Sequence, residues 1–390
     1  MQFTASAGII AGNETFLTEI LLRLPAKSLL KFKCVCKHWN SLISSPYFVR
    51  QHSRRVQPIS AMIFYRWSKS GFEFSRFNSG GYAFNTPFTF LPLADDLIGV
   101  RILQSCNGLL LCSGYRRIEA FRIYFVYNPT TGKSVTIPLP SNCTKATILG
   151  MNLAFNPVKS PCYYIICISN STVSPHYSQI KIYDSNTRNW KLCVDEFTAP
   201  FDMVFGDGVY WNRAIHWISP TGASLRFNIV EERVADMPMI PDGGHGWGKR
   251  RFRLFQESSG HLHLIEAYGA CTTQFQVLEM EGDYSKWFAK YSVDLSGITT
   301  AYPEVIRSYL DSCDENHFLF QVMCLRREEK EEESSLVISI PGKFIAYSFA
   351  DKQFREITDL RETYVDRNLK LSSQFEWLDV YPYLETLAGV

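Results

Sequence analysis

Between residues 59 and 390 the sequence breaks repeatedly into short apolar runs separated by Gly, Asn, Asp and Pro. Runs of that length, bounded by turn formers, read as strands. One phrase recurs: a display strand, a second strand ending in a turn, and an outer strand. Its fullest copy is Ser105-Cys106-Asn107-Gly108-Leu109-Leu110-Leu111-Cys112, then residues 124–133, then 135–138. Further copies fall at 163–168, 180–185 and 189–191; at 206–211, 214–218, 225–229 and 232–237; at 261–267, 274–278 and 286–287; and at 317–323, 344–348 and 353–357. A unit of roughly 40 to 50 residues with this content marks a propeller blade, which cannot bury its apolar faces without neighbours. The segment is long enough for about six to eight of them. An all-β chain must also manage its strand edges, and ring closure removes them. Residues 375–387, rich in apolar and aromatic side chains, are expected to return, pair with the first strands and close the ring. The aromatic content of 14% agrees, since aromatic side chains favour strands.

The first part of the chain has a different rhythm. Residues 15–55 contain no Gly, and Leu17, Ile20, Leu21 and Leu24 share one helical face. Asn13 is placed to cap this helix, and Glu14 and Glu19 suit its positive end. Pro25 stops it, having no N–H to donate. A second helix is expected over 27–34 and a third over 35–44. A last short one opens at Pro46 and carries Tyr47, Phe48 and Arg50. So small a bundle cannot enclose all its apolar side chains, which points to a partner or to the second domain. Residues 1–58 hold eight Lys and Arg against two Glu, a net +6 on a chain of +2 overall, so an acidic partner fits this end.

Residues 16–43, from Phe16-Leu17-Thr18-Glu19 through Leu24-Pro25 and Val35-Cys36-Lys37-His38-Trp39 to Leu42-Ile43, closely resemble the F-box. The likeness spans about Asn13 to Arg55 and ends on Ser44-Ser45-Pro46-Tyr47-Phe48. It departs at Thr18, where the family usually has Pro. The later segment resembles the kelch-like F-box-associated domains of plant F-box proteins. The residues that carry this are Ser105-Cys106-Asn107-Gly108-Leu109-Leu110, Tyr127-Asn128-Pro129-Thr130-Thr131-Gly132, Gly208-Val209-Tyr210-Trp211 and Tyr383-Leu384-Glu385-Thr386-Leu387. The double Gly of true kelch blades is absent.

The resemblance implies an α+β chain of two domains. A helical F-box over 13–55 follows a disordered stretch over 1–12, and an all-β, propeller-like recognition domain covers 59–390. It implies that the F-box docks a Skp-type adaptor and, through it, a cullin. Leu17, Ile20, Leu24, Pro25, Leu29, Leu30, Val35 and Leu42 would supply apolar surface, and Trp39 an anchor. Lys31, Lys33 and Lys37 would meet an acidic adaptor. The β domain would hold a target protein, making the chain the substrate-recognition subunit of an SCF-type ubiquitin ligase with no catalytic residue and no cofactor. Two alternatives stand beside this: a scaffold or inhibitor that binds its adaptor without target turnover, and a propeller enzyme whose acids or histidines converge on the central channel.

Other chemistry finds little support in the residues. Cys34, Cys36 and His38 do not share a helix face, so they make no metal site. His261 and His263 alternate on a strand with no evident carboxylate or Cys partner. The loop at 243–251 fails the phosphate-loop spacing. Its Trp247, Lys249, Arg250 and Arg251 are read as a target-contacting tip, since loops carry function. Residues 326–333 form a charge run, read as a solvated, mobile insertion. The short stretch 52–58 lacks Gly, so a stiff linker is expected. The basic charge sits on the docking segment rather than the β body, which argues against nucleic acid. No apolar stretch reaches the roughly 18 residues of a membrane span, and no signal peptide is evident. The 11 unpaired-looking Cys suit reduced thiols in the cytosol or nucleus, with Cys162 and Cys167 as core fillers.

Overall fold

The computed structural model describes residues 13–55, 59–66, 71–77, 86–88, 97–116, 122–141, 143, 147–171, 174, 176–241, 250–269, 273–311, 314, 317–359 and 379–390. Residues 1–12, read above as disordered, lie outside this range.

Four helices come first: α1 (Glu14–Leu21), α2 (Ala26–Phe32), α3 (Lys37–Ser44) and α4 (Pro46–Arg55). Three of them, α1, α3 and α4, begin where a local side chain satisfies an amide that the first turn leaves free. The Asn13 side chain accepts from the amides of Thr15 and Phe16 at 3.0 and 3.2 Å. Pro25, extended at ψ 147, separates α1 from α2. The Cys36 sulfur accepts from the Trp39 amide at 3.5 Å, and this extended cap delays α3 by two residues relative to expectation. Ser45 accepts from Phe48 N at 3.1 Å and Pro46 opens α4.

Six four-stranded antiparallel sheets follow among the described residues. The first holds β1 (Ala61–Arg66), β2 (Gly71–Arg76) and β3 (Thr86–Phe88). The second is β4 (Leu97–Cys106), β5 (Leu109–Arg116), β6 (Arg122–Asn128) and β7 (Lys133–Ile137). The third is β8 (Ile148–Phe155), β9 (Tyr163–Asn170), β10 (Ser178–Asp184) and β11 (Asn189–Phe197). The fourth is β12 (Val209–Trp211), β13 (Ala214–Ile218), β14 (Ser224–Asn228) and β15 (Arg233–Asp236). The fifth is β16 (Arg250–Ser258), β17 (His261–Tyr268), β18 (Gln274–Met280) and β19 (Trp287–Asp294), and a one-turn helix α5 (Ile298–Ala301) follows it. The sixth is β20 (Gln321–Arg326), β21 (Ser335–Ile340), β22 (Lys343–Ser348) and β23 (Phe354–Asp359). A last strand, β24 (Asp379–Tyr383), returns to the first sheet and pairs with β1, Ala61 opposite Tyr383 and Tyr65 opposite Asp379. The expected closing segment thus shares a blade with the start of the domain, and the blade number is six.

Every junction between neighbouring blades has its own apolar core. Ile165 and Leu153 meet Leu111 and Val126 at one, and Trp217 and Phe227 meet Ile166 and Ile180 at the next. At the closing junction Met62 and Phe64 pack on Cys324, Val337 and Phe344, with Phe64 and Phe344 edge to face at 5.2 Å. Inner strands are stitched by side chains that imitate a peptide. Gln104 on β4 both donates to Leu153 O (3.1 Å) and accepts from Leu153 N (2.7 Å) on β8. Gln256 on β16 does the same to Leu325 on β20, at 3.0 and 3.1 Å. Each glutamine therefore carries a strand-like hydrogen-bond pair across a gap that no backbone ladder spans.

The charge run is not a loose insertion. Arg327 pairs with the buried Glu279 of the neighbouring blade, Lys290 pairs with Glu331, and Ser334 Oγ accepts from Glu328 N at 3.1 Å. Paired ends hold the β20–β21 turn in place. Cys167 is fully buried as expected, whereas Cys162 is only half-buried at the foot of β9.

Candidate docking surfaces

The helices enclose a small core of their own: Leu17, Leu21, Leu22, Ala26, Leu29, Ile43 and Phe48. This corrects the expectation for Leu17 and Leu29, which are 3% and 0% exposed and supply no surface. They hold the helices together because α1 and α2 turn those positions inward. What stays bare is Phe16 (58%), Ile20 (47%), Val35 (59%) and Tyr47 (66%), with Pro25 also exposed. Leu24, Leu30, Leu42 and Trp39 are half-buried, and Trp39 stands edge-on to Phe32 at 5.6 Å. Phe16 and Tyr47 were not singled out from the sequence. Phe16 lies one turn from Ile20 on α1, and that spacing is a legible signal.

Lys31 and Lys37 are exposed. Lys33 is half-buried, its pKa lowered by burial and then by Lys133 at the head of β7. The positive patch therefore spans both parts of the chain, and Lys133 belongs to it.

A C-terminal tail after β24 ties the helices to the propeller. Leu387 inserts into the helical core. Glu385 pairs with Arg76 at 2.7 Å and approaches Lys27 at 3.9 Å, while Lys27 also lies 5.4 Å over the Phe74 ring. The tail is held from below by the turn after β6. Buried Asn128 accepts from Thr130 N (2.8 Å) and donates to Thr386 O (3.2 Å) and Ala388 O (2.8 Å). The Asn107-Gly108 turn has positive φ at both residues, 47 and 88, the tight hairpin geometry. A Cβ on Gly108 would stand 2.6 Å from Leu384 O, so only glycine admits the tail there. Three motifs that looked separate in the sequence thus converge on one place. Within the bundle, His52 is 5% exposed and donates from Nε2 to Leu24 O at 2.9 Å, and Arg55 pairs with Glu19 at 3.1 Å. Residues 56–58, part of the expected stiff linker, lie outside the described residues; 52–55 are helical.

The helices occupy one end of the propeller. Ser53 and Arg54 share a cavity of about 900 Å³ with Asn107, Asn212 and Gly260, which stand at first-to-second-strand turns of three blades. Because the strands alternate direction, connections from one blade's outer strand to the next blade's inner strand lie at the opposite end. Those connections carry Phe201 (98% exposed), Met239 (90%) and Tyr309 (78%). Of the loop residues expected there, Trp247 and Lys249 lie outside the described residues, and Arg250 and Arg251 open β16, Arg250 opposite Tyr268.

The central channel is a cavity of about 290 Å³ lined by Asp207, Glu257, Tyr210 and Tyr381 among others. Burial raises the carboxyl pKa of both Asp207 and Glu257. Neither acts on the other, and Glu257 accepts from Gly260 N at 2.6 Å. Asp207 nevertheless keeps part of its surface exposed and Glu257 is half-buried, so the two acids are only partly dehydrated. His261 does have a carboxylate partner that the sequence hid: Glu279, at 2.7 Å, from the adjacent strand. Arg327 holds the other oxygen of Glu279, and no metal-holding cluster occurs among the described residues.

Residues 15–51 match the F-box domain family, and residues 84–243 match the F-box associated beta propeller domain family. The F-box protein At5g07610 of Arabidopsis thaliana is 31% identical over 99% of this chain and 94% of its own length. The F-box protein At5g49610 of the same plant is 27% identical over 88% of this chain and 96% of its own. The putative F-box/kelch-repeat protein At3g17570, also from that plant, is 29% identical over 58% and 59%. With a capped four-helix segment fastened to one end of a six-bladed ring, and a relative matching from end to end, the chain belongs to the plant F-box proteins that carry an F-box-associated β-propeller.

Proposed function

We propose that this chain is the substrate-recognition subunit of an SCF-type ubiquitin ligase, and that it holds adaptor and target at opposite ends. F-box domains generally bind Skp-type adaptors, and proteins of this family are generally non-catalytic adaptors. The observation that supports the reading is the separation of two bare apolar surfaces. Phe16, Ile20, Val35 and Tyr47 are uncovered on the helices, and Phe201, Met239 and Tyr309 at the far end of the ring. Apolar side chains left bare together on one surface mark protein interfaces. The adaptor covers the first set, with Lys31, Lys37 and Lys133 meeting its acidic residues, and a cullin follows through the adaptor. The target covers the second.

No bond is made or broken by this chain. A target held on the ring is kept at high local concentration near a ubiquitin-charged enzyme. The helices must not swing, because transfer needs the target lysine within reach. The buried tail that joins helices to ring answers that need. Cytosol or nucleus suits the work, and no helix among the described residues is long and apolar enough to cross a membrane.

The test uses exposed residues whose replacement leaves the core alone. Ile20→Asp with Val35→Asp is expected to weaken capture of a Skp-type adaptor at least about a hundredfold, as loss of two interface anchors does. Unchanged capture by folded variant sinks the reading. Phe201→Ser with Met239→Ser should leave adaptor capture intact while proximity-labelled targets disappear. If the targets are labelled but their lifetimes do not change when the adaptor site is lost, the scaffold reading replaces turnover.

A further inference from the structure

The β7–β8 connection brings a thiol against two groups that the docking role leaves unused. Cys143 is half-buried in that connection. Lys181, only 8% exposed on β10, donates from Nζ to Cys143 Sγ at 3.2 Å and to Ser141 O at 3.0 Å. Opposite Lys181 in the β9–β10 register stands Cys167. Directly paired residues of an antiparallel ladder project to the same side of the sheet, so amine and second thiol are neighbours. Cys167 is fully buried and hydrogen-bonds to Cys143.

A cation beside a thiol favours the thiolate, and a second thiol that donates to it favours it further. Cys143 is accordingly pushed down to about 5, foremost by the hydrogen bond from Cys167 and also by Lys181. Cys167 is pushed far up, by that same bond first and by burial next. The pair thus divides into a reachable thiolate and a protected thiol, the arrangement of an attacking and a resolving cysteine. Exposed Cys34 and Cys36 have no such neighbours among the described residues; the Cys36 sulfur only caps α3.

We propose that Cys143 and Cys167 are a peroxide-reactive thiol pair, Cys143 reacting first and Cys167 closing a disulfide that pins the β7–β8 connection to β9. The Cys143 thiolate attacks one oxygen of hydrogen peroxide. An S–O bond forms, the O–O bond breaks, and hydroxide leaves to take a proton and become water. The sulfenic acid sulfur is then attacked by Cys167. An S–S bond forms, the S–O bond breaks, and the departing hydroxide takes the Cys167 proton as a second water. Two thiols supply two electrons and one peroxide is reduced. The pinned connection also carries exposed Leu139, at the end of the ring away from the helices. Any effect on target binding rests on the target-face reading above; the thiol chemistry does not.

The full chain, reduced and then given a small excess of hydrogen peroxide, tests this by peptide mass spectrometry without reductant. The expected product is a linked Cys143–Cys167 peptide pair, reversed by dithiothreitol. Cys167→Ser should stop at a Cys143 sulfenic acid that dimedone traps. Lys181→Met should slow Cys143 oxidation about tenfold at pH 7, while Lys181→Arg keeps the charge and the rate. The proposal is overturned if Cys143 stays reduced while Cys34 and Cys36 oxidise, or if Lys181→Met reacts at the wild-type rate. Should Lys181→Met not fold, Cys167→Ser decides alone: dimedone on Cys143 supports the pair, and its absence overturns it.

Discussion

Asn128 uses its side chain at both ends, shaping its own turn and holding the backbone of a segment about 260 positions away. It is fully buried, so removing the amide strands two carbonyls and the Thr130 amide without water. Asn128→Ala should therefore cost about 3 kcal/mol in urea unfolding. The same variant should expose the tail to protease at low doses that leave the wild type whole. A second residue sets a pH response. His216 is fully buried between Val209 O (3.1 Å) and the Tyr284 hydroxyl (3.0 Å), and burial pushes its pKa down to about 3. Its folded pKa lies below the unfolded value, so the unfolded chain takes the proton first. The stabilisation is whole above about pH 6.5 and is lost as pH falls from there toward 3. Between pH 7.5 and 5 this removes about 2 kcal/mol, and buried His263 behaves alike. His216→Gln should flatten that part of the stability–pH curve, read from denaturant midpoints. A curve as steep as the wild type would contradict the assignment.

Elements were legible in the sequence where turn chemistry framed them. The Asn107-Gly108 and Asn128-Pro129-Thr130-Thr131-Gly132 turns announced β5 to β7, and the 3.6-residue spacing on α1 announced the bundle. The strands that went unread were chiefly inner or interior ones. β8 and β21 are buried along most or all of their length, so they present continuous apolar runs with no alternation to count. Exposure on the helices was legible only in part. Leu17 and Ile20 share a helical face by spacing, yet one is in the core and the other bare, because α2 and α4 cover one flank of that face only. Nothing local in the tail revealed that Leu387 belongs to the helical core; that contact is purely tertiary. Leu387→Asp places a charge in that core. It should lower the midpoint for unfolding of the helices while the propeller, with β24 still paired to β1, keeps its own. Hydrogen exchange resolved by segment reads the two separately, and equal loss in both would show that the tail is not a local fastener.

At the scale of the whole molecule, charge is sorted as well as shape. The basic helices and Lys133 face one way, on a ring whose remaining sequence is slightly acidic. Attraction to an acidic adaptor over such distances is screened by salt within about 8 Å at physiological ionic strength. The adaptor's association rate should then fall severalfold between 50 and 500 mM salt, with a much smaller change in dissociation rate. Stopped-flow mixing at several salt concentrations checks this, and a flat association rate would remove the electrostatic part of the docking account.

The closing blade is shared by β1 and β24, so its inner strand is the last to leave the ribosome of all the strands described. Until residues 379–390 emerge, the ring has a gap and the helices, made first, have nothing to rest on. A product cut short before Tyr383 would lack both the final strand and the Leu387 plug, and would carry its docking helices on an open, edge-exposed sheet. A truncated chain would thus carry its helices without the rigid platform that the tail and the closed ring provide.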